Sequence, residues 1–333
     1  MAVTALGACS SGQRPALPAH MFAPYFQTYT GASLAAATAS SGAKFATMAF
    51  LQTERPGSCD VFWNGDPATP VASAMYGVDI AKIRAHGGDV VPSFGGFSAD
   101  HTGTDIADSC ASVDRVAEAY EHVISTYDVT RVDLDVEDIS LGNAAGIDRR
   151  NRAVRKVEQW AASNGRTVQF VYTIPTEPDG PSQTAVEVLA NAVANHARVD
   201  IVNIMTFDYY DGLRHDMAGD TESAAGALVA TLRKLYPSRS TDRLRQMVGV
   251  TEMIGRDDYG GRGATGPPEI FTLADAQTVT AWAARNHIAE LSFWALGRDN
   301  GRCPGTSGDG GCSGIVQTDG QFARIMSAFG RGS

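Results

Sequence analysis

The strongest constraint on the fold is an alternation of short apolar segments with longer helical patterns. Eight segments rich in β-branched and aromatic residues occur in turn, at 21–27, 44–50, 89–94, 131–137, 167–174, 199–207, 246–251 and 289–294. Between them lie stretches with apolar residues at three-and-four spacing, at 71–86, 113–127, 148–164, 184–196, 224–236 and 273–286. A strand followed by a helix, repeated about eight times, predicts a parallel sheet closed into a barrel.

An open, doubly wound sheet is the alternative for such an alternation. That fold usually has fewer strands and a glycine-rich phosphate-binding turn after the first strand, where this chain has Gln27-Thr-Tyr-Thr-Gly31. The sequence therefore predicts a single-domain (β/α)8 TIM barrel over residues 20–333, preceded by a tether at residues 1–19. About 35 residues separate the last two apolar segments, enough for a loop and one helix but not for an inserted α+β domain.

The fourth segment, Arg131-Val-Asp-Leu-Asp-Val-Glu137, carries three carboxylates at alternate positions. Because side chains alternate along a strand, Asp133, Asp135 and Glu137 share one face. Like charges this close cannot all remain ionised, so at least one pKa should rise, as a general acid requires. A solvated edge strand would not need β-branched side chains on its opposite face. A metal site would usually have histidine or several further acidic ligands nearby in the sequence, and only Asp138 is close. The row therefore predicts catalytic carboxylates.

Polar, aromatic and glycine residues also follow other strands, at the barrel end where active sites lie. Ser93-Phe-Gly-Gly96 follows the third segment, Asp208-Tyr-Tyr210 the sixth, and Trp294 the eighth. Each could be structural by itself, as a turn, a surface aromatic or a core residue. Their joint placement at one end of one barrel predicts a functional site there.

Four cysteines predict two disulfide bridges. Cys59 and Cys110 lie in loops rich in Gly, Ser and Asp, and Cys303 and Cys312 flank a glycine-rich segment. The simplest pairing is Cys59–Cys110 and Cys303–Cys312. Bridges indicate an oxidising, exported setting; free thiols in a cytosolic enzyme are the alternative.

The start of the chain and its charge bear on localisation and partners. Cys9 follows Leu6-Gly-Ala, as in a bacterial lipoprotein cleavage box, but only eight residues precede it and none is basic. We expect a secreted protein or a cell-envelope lipoprotein. A net charge of −10 argues against nucleic acid or an anionic membrane as partner. No apolar run reaches the length of about eighteen residues that a transmembrane helix needs.

These motifs resemble those of glycoside hydrolase family 18, the chitinases and their relatives. The family's D-G-x-D-x-D-x-E on strand four corresponds to Thr130-Arg-Val-Asp-Leu-Asp-Val-Glu137, and its S-x-G-G to Ser93-Phe-Gly-Gly96. Met205-Thr-Phe-Asp-Tyr209 is similar to the M-x-x-D-Y of a bacterial and archaeal branch, and Trp294 matches the strand-eight tryptophan. Thr130-Arg131 replaces the first Asp-Gly, near the buried start of the strand, which should alter packing rather than chemistry.

The resemblance implies a retaining, substrate-assisted hydrolase of β-1,4 linkages in chitin or N-acetylglucosamine oligosaccharides. Glu137 would protonate the glycosidic oxygen and later activate water. Asp135 would orient the 2-acetamido group, which replaces a carboxylate nucleophile, and Asp133 would share a proton with Asp135. Tyr209 would bond the acetamido carbonyl, with Asp208 positioning it. The resemblance implies neither metal nor cofactor.

The resemblance and the strand ends also indicate residues that bind substrate. Met205 and Trp294 would form an apolar floor under the sugar ring. The other candidates lie at or near strand ends: Ser93, Gly95, Tyr25, Phe26 and Glu252. For Glu252 we favour a substrate contact over a surface charge. Without an insertion domain, we expect a shallow, open groove, endo-type cleavage and a monomeric protein.

Three other functions compete with a chitinase. An endo-β-N-acetylglucosaminidase would cut the core of N-glycans with the same residues. A chitinase-like lectin or inhibitor typically lacks the terminal glutamate, and Glu137 is present. A barrel with metal-assisted chemistry is the third, and activity in the presence of a chelator would exclude it.

Overall fold

The computed structural model describes residues 14–257, 266–306 and 310–331, so Cys9 and most of the predicted tether lie outside the described residues. The β-strands, β1 to β12, are Met21–Phe22, Tyr25–Gln27, Phe45–Thr53, Val61–Trp63, Asp89–Gly95, Arg131–Asp135, Gln169–Pro175, Ile201–Met205, Val248–Met253, Gly255–Arg256, Ile270–Phe271 and Glu290–Trp294. The α-helices, α1 to α11, are Leu34–Ser41, Ser73–Ala85, Phe97–Thr102, Ile106–Ser109, Val113–Tyr127, Ala144–Ser163, Gln183–Ala194, Met217–Leu235, Thr241–Arg245, Leu273–Asn286 and Gln321–Met326. Short 3₁₀ turns lie at Thr28–Thr30, Asp138–Gly142, Leu296–Arg298 and Phe329–Arg331.

The central sheet is parallel and closes on itself. Its strand order is β1-β12-β9-β8-β7-β6-β5-β3-β2. The predicted first strand is divided by Pro24, which has no backbone N–H for a ladder bond, so β1 pairs with β12 while β2 pairs with β3. Because β1 and β2 are consecutive in the chain, the two ends of this order meet. The predicted single-domain (β/α)8 barrel is confirmed.

The surrounding helices follow the apolar periodicity of the sequence. Helix α5 has the predicted bounds because buried side chains recur on one face from Val116 to Tyr127, and Ser112 caps its first turn by accepting from the amide of Arg115. Helix α8 begins at Met217, before the predicted 224, in a stretch with few large apolar residues. No helix among the described residues has the length and apolarity to cross a bilayer.

Several elements were not predicted because their sequences carry no clear period. Helix α1 consists mainly of Ala, Ser and Thr, and its only large apolar side chain is Leu34. Strand β4 forms a three-residue antiparallel hairpin with the end of β3. In the described part of the chain between β9 and β12, the two-stranded ribbon β10–β11 was not predicted, whereas helix α10 was.

Both predicted disulfides are confirmed. Cys59–Cys110 joins the loop between β3 and β4 to the segment before α5. Cys303–Cys312 closes a loop after β12.

A buried ion pair fills the amino-terminal end of the barrel. Arg131 Nη1 lies 2.9 Å from Glu290 Oε2, and the two side chains are 2% and 3% exposed. Nη2 of Arg131 also donates to Gln169 Oε1 at 2.9 Å. Burial raises the pKa of Glu290 to about 7, although the Arg131 charge opposes the rise. A buried charge requires such a partner, and Glu290 supplies it for Arg131 inside the barrel.

Candidate active site

The carboxylate row lies at the carboxyl end of β6. Asp133 and Asp135 point into the barrel and are only 2% and 3% exposed, whereas Val132 and Leu134 belong to the core outside the barrel wall. Glu137 comes two residues after the strand ends and is half-buried. The row thus runs from the closed interior to the open end, with Glu137 outermost.

Three hydroxyl groups hold Asp133. Ser93 Oγ and the Tyr25 hydroxyl donate to its Oδ2 at 2.6 and 3.0 Å, and Thr173 Oγ1 donates to its Oδ1 at 2.6 Å. Burial raises the pKa of Asp133 to about 6, and these hydroxyl groups limit the rise. Ser93 and Tyr25 were expected to contact substrate; instead both are buried and hold this carboxyl group.

Asp135 lies among several acidic side chains that affect its pKa. Burial raises its pKa well above the ordinary value, and the charges of Glu137 and Asp133 raise it further. No hydrogen bond joins Asp133 to Asp135 among the described residues, because hydroxyl groups occupy both oxygens of Asp133. The two groups interact through charge, and the shared proton stays a prediction.

A second group of acids, which the sequence did not reveal, lies behind the row on α3 and α4. Asp100 and Asp105 both raise the pKa of Asp135. Asp105 forms a buried ion pair with Arg150 of α6 at 2.8 Å. Asp108 raises the pKa of Arg150 as well. The only sequence sign was three acids within nine positions after the S-x-G-G motif.

The two glycines of the S-x-G-G motif allow close packing beside the row. Gly95 has φ +95°, and a Cβ there would lie 2.0 Å from the carbonyl oxygen of Asp135. Gly96 has φ +84°, and a Cβ there would lie 2.6 Å from the ring of Phe50. Glycine is required for both the conformation and the space. Gly95 thus allows β5 to pack closely against β6, and it does not make a side-chain contact with substrate.

Aromatic rings line the mouth beside the acids. Trp294, partly exposed at the end of β12, stacks on Phe50 with centroids 5.7 Å apart and planes 10° apart. Tyr25 lies against Trp294 at 5.8 Å. The Ala49–Phe50 and Trp294–Ala295 peptide bonds are cis. Sequence reasoning found Trp294 but missed Phe50, which looked like an ordinary core residue of the second strand.

Met205 ends β8, opposite Thr251 in the register of β8 and β9. Its side chain is 7% exposed. It lies on the same strand face as Asn203, whose amide donates to Thr251 Oγ1 at 2.7 Å. Met205 therefore faces the barrel interior, as a floor residue should.

The strand-six motif is placed differently from the expectation. Tyr209 is 4% exposed, and its ring lies 4.8 Å from that of His215. Burial raises the pKa of its hydroxyl, and among the neighbouring charges Glu252 adds most to the rise. No described contact joins Tyr209 to the acids of β6. Asp208 donates its amide to Asp257 Oδ2 at 3.1 Å.

Two further candidates face away from the barrel interior. Phe26 is 3% exposed and belongs to the core outside the barrel wall, because it alternates with the inward-facing Tyr25. Glu252 is fully buried, and its Oε1 lies 2.8 Å from the hydroxyl of Thr221 on α8. Burial raises the pKa of Glu252 to about 8. Neither residue is at the mouth, so the expected substrate contacts are corrected.

The chain is similar in sequence to known chitinases. No family model matches the chain. It is 29% identical over 296 residues to a probable bifunctional chitinase/lysozyme of Escherichia coli K12, covering 86% of this chain and 32% of that protein. It is 28% identical over 303 residues to endochitinase 11 of Metarhizium anisopliae, covering 86% and 54%. The chain thus spans about a third and about half of these relatives.

The structure is also similar to solved chitinases. The catalytic domain of a hyperthermophilic chitinase from Pyrococcus furiosus superimposes with a TM-score of 0.80 and 26% identity, over 95% of this chain and 97% of that one. These findings support glycoside hydrolase family 18. A family 18 chitinase from Cycas revoluta, with a TM-score of 0.59, 10% identity and coverage of 93% and 99%, shares the fold. The strand-six branch within family 18 stays a prediction.

Proposed function

We propose that this chain is a chitinase that hydrolyses β-1,4 linkages in chitin or N-acetylglucosamine oligosaccharides, with Glu137 as general acid and base. The observation that carries the proposal is the row on β6: two deeply buried carboxyl groups behind one half-buried glutamate at the open end. The relatives and structural neighbours named as chitinases support it. The neighbour from Pyrococcus furiosus also has a complex with chito-oligosaccharides, which supports the substrate class.

The protonation states favour a substrate-assisted route. A carboxylate must be ionised to attack a sugar carbon, but burial and four neighbouring acids hold the pKa of Asp135 well above its ordinary value. A protonated Asp135 is a poor nucleophile and a good hydrogen-bond donor. It can orient the substrate's 2-acetamido group, whose carbonyl oxygen then attacks the anomeric carbon in its place.

Residues near the mouth can carry out each step of this route. Glu137 protonates the leaving oxygen while the acetamido oxygen forms a bond to the anomeric carbon, and the resulting oxazolinium ion is stabilised by Asp135. The deprotonated Glu137 next takes a proton from water while the water oxygen attacks the anomeric carbon. The bond to the acetamido oxygen breaks, the oxazolinium ring opens, and the configuration at the anomeric carbon is retained overall. Three hydroxyl groups fix Asp133. Asp133 in turn keeps the inner end of the carboxylate row in place.

The mouth suits a chain of several sugars. Trp294 and Phe50 offer a stacked aromatic surface beside the acids, and the apolar face of a sugar ring packs on such surfaces. Tyr29 and Phe97 follow other strands at the same end and are 55% and 53% exposed. We therefore propose an open groove and endo-type cleavage. The two disulfides support an exported enzyme, and we propose that it acts as a monomer.

Hydrolysis of N-acetylglucosamine oligomers of two to six units, with analysis of product length and anomer, tests the proposal. The matched controls are the de-N-acetylated oligomers and the corresponding glucose oligomers. We expect cleavage of the N-acetylated series alone, with the β-anomer formed first. Cleavage of the de-N-acetylated series at a similar rate would remove the substrate-assisted mechanism.

The same experiment separates the remaining alternatives. Early products dominated by the disaccharide would contradict the open groove. Release of glycan from a denatured glycoprotein, without cleavage of chitin oligomers, would identify an endo-β-N-acetylglucosaminidase. Tight binding of the oligomers without turnover would identify a chitinase-like lectin.

A further inference from the structure

The backbone amide of Glu137 lies where the parallel ladder stops. On one side, the preceding amide of Val136 still donates to the carbonyl of Thr173 on β7, at 2.9 Å. On the other side, β5 ends at Gly95. The next carbonyl, that of Gly96, accepts from the amide of Asp100 at 3.0 Å. The ladder therefore offers no strand partner on this side for the amide of Glu137, and an unpaired buried amide is costly.

The side chain of Asp100 takes that place. Its Oδ2 accepts a hydrogen bond from the amide of Glu137. Asp100 lies on helix α3, which begins directly after Gly96, and it is 0% exposed. Its other oxygen, Oδ1, is also buried and has no hydrogen-bond partner among the described residues. Asp100 thus connects the end of β5 to the end of β6 through one residue.

His101, the residue after Asp100 on α3, makes a similar contact with Asp138, the residue after Glu137. His101 Nδ1 lies 2.6 Å from Asp138 Oδ2. Asp138 itself has φ +40°, so the chain turns sharply just after Glu137. Two consecutive side chains of one helix therefore hold two consecutive residues at the end of the carboxylate row. The contact to Asp138 is exposed, whereas the contact to Glu137 is partly buried.

The charges around Asp100 favour its neutral form. Burial raises its pKa well above the ordinary value, the charges of Asp105 and Glu137 raise it further, and Arg150 opposes them. Asp135 also faces this group, because Asp100 is among the charges that raise its pKa. A neutral carboxyl group still has an acceptor oxygen for the amide of Glu137. It can do so without adding a charge beside the general acid.

We propose that Asp100 is a positioning residue that fixes the main chain of Glu137 through a neutral carboxyl group. This inference rests on the proposed function, in which Glu137 must reach the glycosidic oxygen. Displacement of a reacting group by about 1 Å can cost about a hundredfold in rate. Asp100 contributes an acceptor at the point where Glu137 leaves the strand and touches no substrate itself.

Two variants separate the acceptor from the proton. Asp100→Asn keeps a neutral group of the same shape with an acceptor oxygen, whereas Asp100→Leu keeps the branching at Cγ but is larger and has no acceptor. On a chitin tetramer we expect Asp100→Asn to keep kcat within about threefold, and Asp100→Leu to lower kcat about 10- to 100-fold with KM almost unchanged. The pH profile of Asp100→Asn should coincide with that of the parent.

The inference is overturned if Asp100→Leu keeps full kcat, or if Asp100→Asn loses as much as Asp100→Leu. A shift of the basic limb of the Asp100→Asn profile to lower pH would also overturn it, because Asp100 would then carry charge in the working enzyme. That profile decides the question even if Asp100→Leu does not fold.

Crystal structures of the two variants test the geometry without substrate. The main chain at Glu137 should coincide with the parent in Asp100→Asn and shift in Asp100→Leu. If the parent cleaves no chitin oligomer but this shift is observed, the proposed function fails while the positioning of Glu137 stands. If the main chain at Glu137 is unchanged in Asp100→Leu, the positioning role is wrong, whatever the parent cleaves.

Discussion

Two strands of this barrel end with buried carboxyl groups, and the groups differ in what surrounds them. On β6, Asp133 and Asp135 face the barrel interior below Glu137. On β9, Glu252 faces helix α8 and contacts Thr221. Both sites are buried and both raise a pKa, so burial and an altered pKa do not by themselves mark the active site. The face of the strand decides, because only the interior face opens at the mouth.

The hydrogen-bond donors explain the different pKa values. Three hydroxyl groups donate to Asp133, and its pKa is raised only to about 6. Thr221 and Thr206 support Glu252, but one oxygen of Glu252 remains without a hydrogen bond among the described residues, and its pKa is raised to about 8. Donors stabilise the ionised form and oppose desolvation. The carboxyl groups of the β6 row can therefore be ionised or protonated near the mouth. Glu252, with its more strongly raised pKa, stays neutral and serves in packing.

The largest effect is expected from Glu137→Gln. The amide keeps the shape of the side chain but cannot supply a proton, and general acid–base catalysis contributes typically about 10²- to 10⁴-fold. We expect turnover of a chitin tetramer to fall about 10³-fold, with the dissociation constant of the tetramer almost unchanged. Rate and calorimetric binding measurements check this. Hydrolysis close to the parent rate would end the assignment of Glu137 as general acid.

Asp135→Asn should have the next largest effect. Asparagine retains a donor toward the acetamido group, but unlike a carboxyl group it cannot pass a proton to Asp133 and so become the negative group that stabilises the oxazolinium ion. Loss of one such electrostatic contact costs about 10²- to 10³-fold in kcat, so we expect about 10²-fold here. Steady-state kinetics on the same tetramer measures it, and a loss under tenfold would show that Asp135 acts mainly by packing.

The sequence predicted the fold and the row because both depend on short-range periodicity. Alternation along 131–137 gives the shared face of the acids, and repeated strand–helix units give the barrel. The contacts of Asp133 with Tyr25, Ser93 and Thr173 join three other strands. Such contacts depend on register between distant segments, which local pattern does not contain.

The wrong expectations have the same physical origin. Phe26 and Glu252 were chosen because they lie at or near strand ends, but each lies next to an inward-facing residue and therefore points to the outer side of the wall. Tyr209 follows the end of β8, where the chain no longer alternates, and its ring turns toward His215. Asp100 was missed because its role depends on where β5 ends, and strand ends are the least certain part of a sequence-based prediction.

Trp294→Ala tests the aromatic surface at the mouth of the interior face. The change removes the ring that stacks on Phe50, and a stacking contact of about 1 kcal/mol corresponds to about fivefold in binding. We expect KM to rise about 5- to 10-fold with a smaller change in kcat. A larger loss in kcat than in KM would mean that Trp294 orients the reacting sugar rather than binding it. Trp294→Phe should restore most of the affinity.

Glu252→Gln should leave turnover within about twofold, which makes it the matched control for Glu137→Gln. Its effect is on stability, and the sign follows from the raised pKa of Glu252, about 8 in the folded protein against an ordinary value of 4.5. Below the ordinary pKa the group is neutral in both states and the parent is most stable. As the pH rises toward 8, Glu252 ionises in the unfolded state, which lowers the free energy of that state. The folded state must keep the proton, so the free energy of unfolding of the parent falls.

Glutamine does not titrate, so the variant should not show this loss. We expect the unfolding temperatures of the two proteins to be similar near pH 4.5 and to diverge with rising pH, with the variant higher by roughly 5 °C at pH 8. Thermal unfolding at several pH values measures the divergence. A constant difference across the range would mean that Glu252 does not ionise on unfolding. A loss of turnover beyond tenfold would instead place Glu252 in the active site and reverse the comparison between β9 and β6.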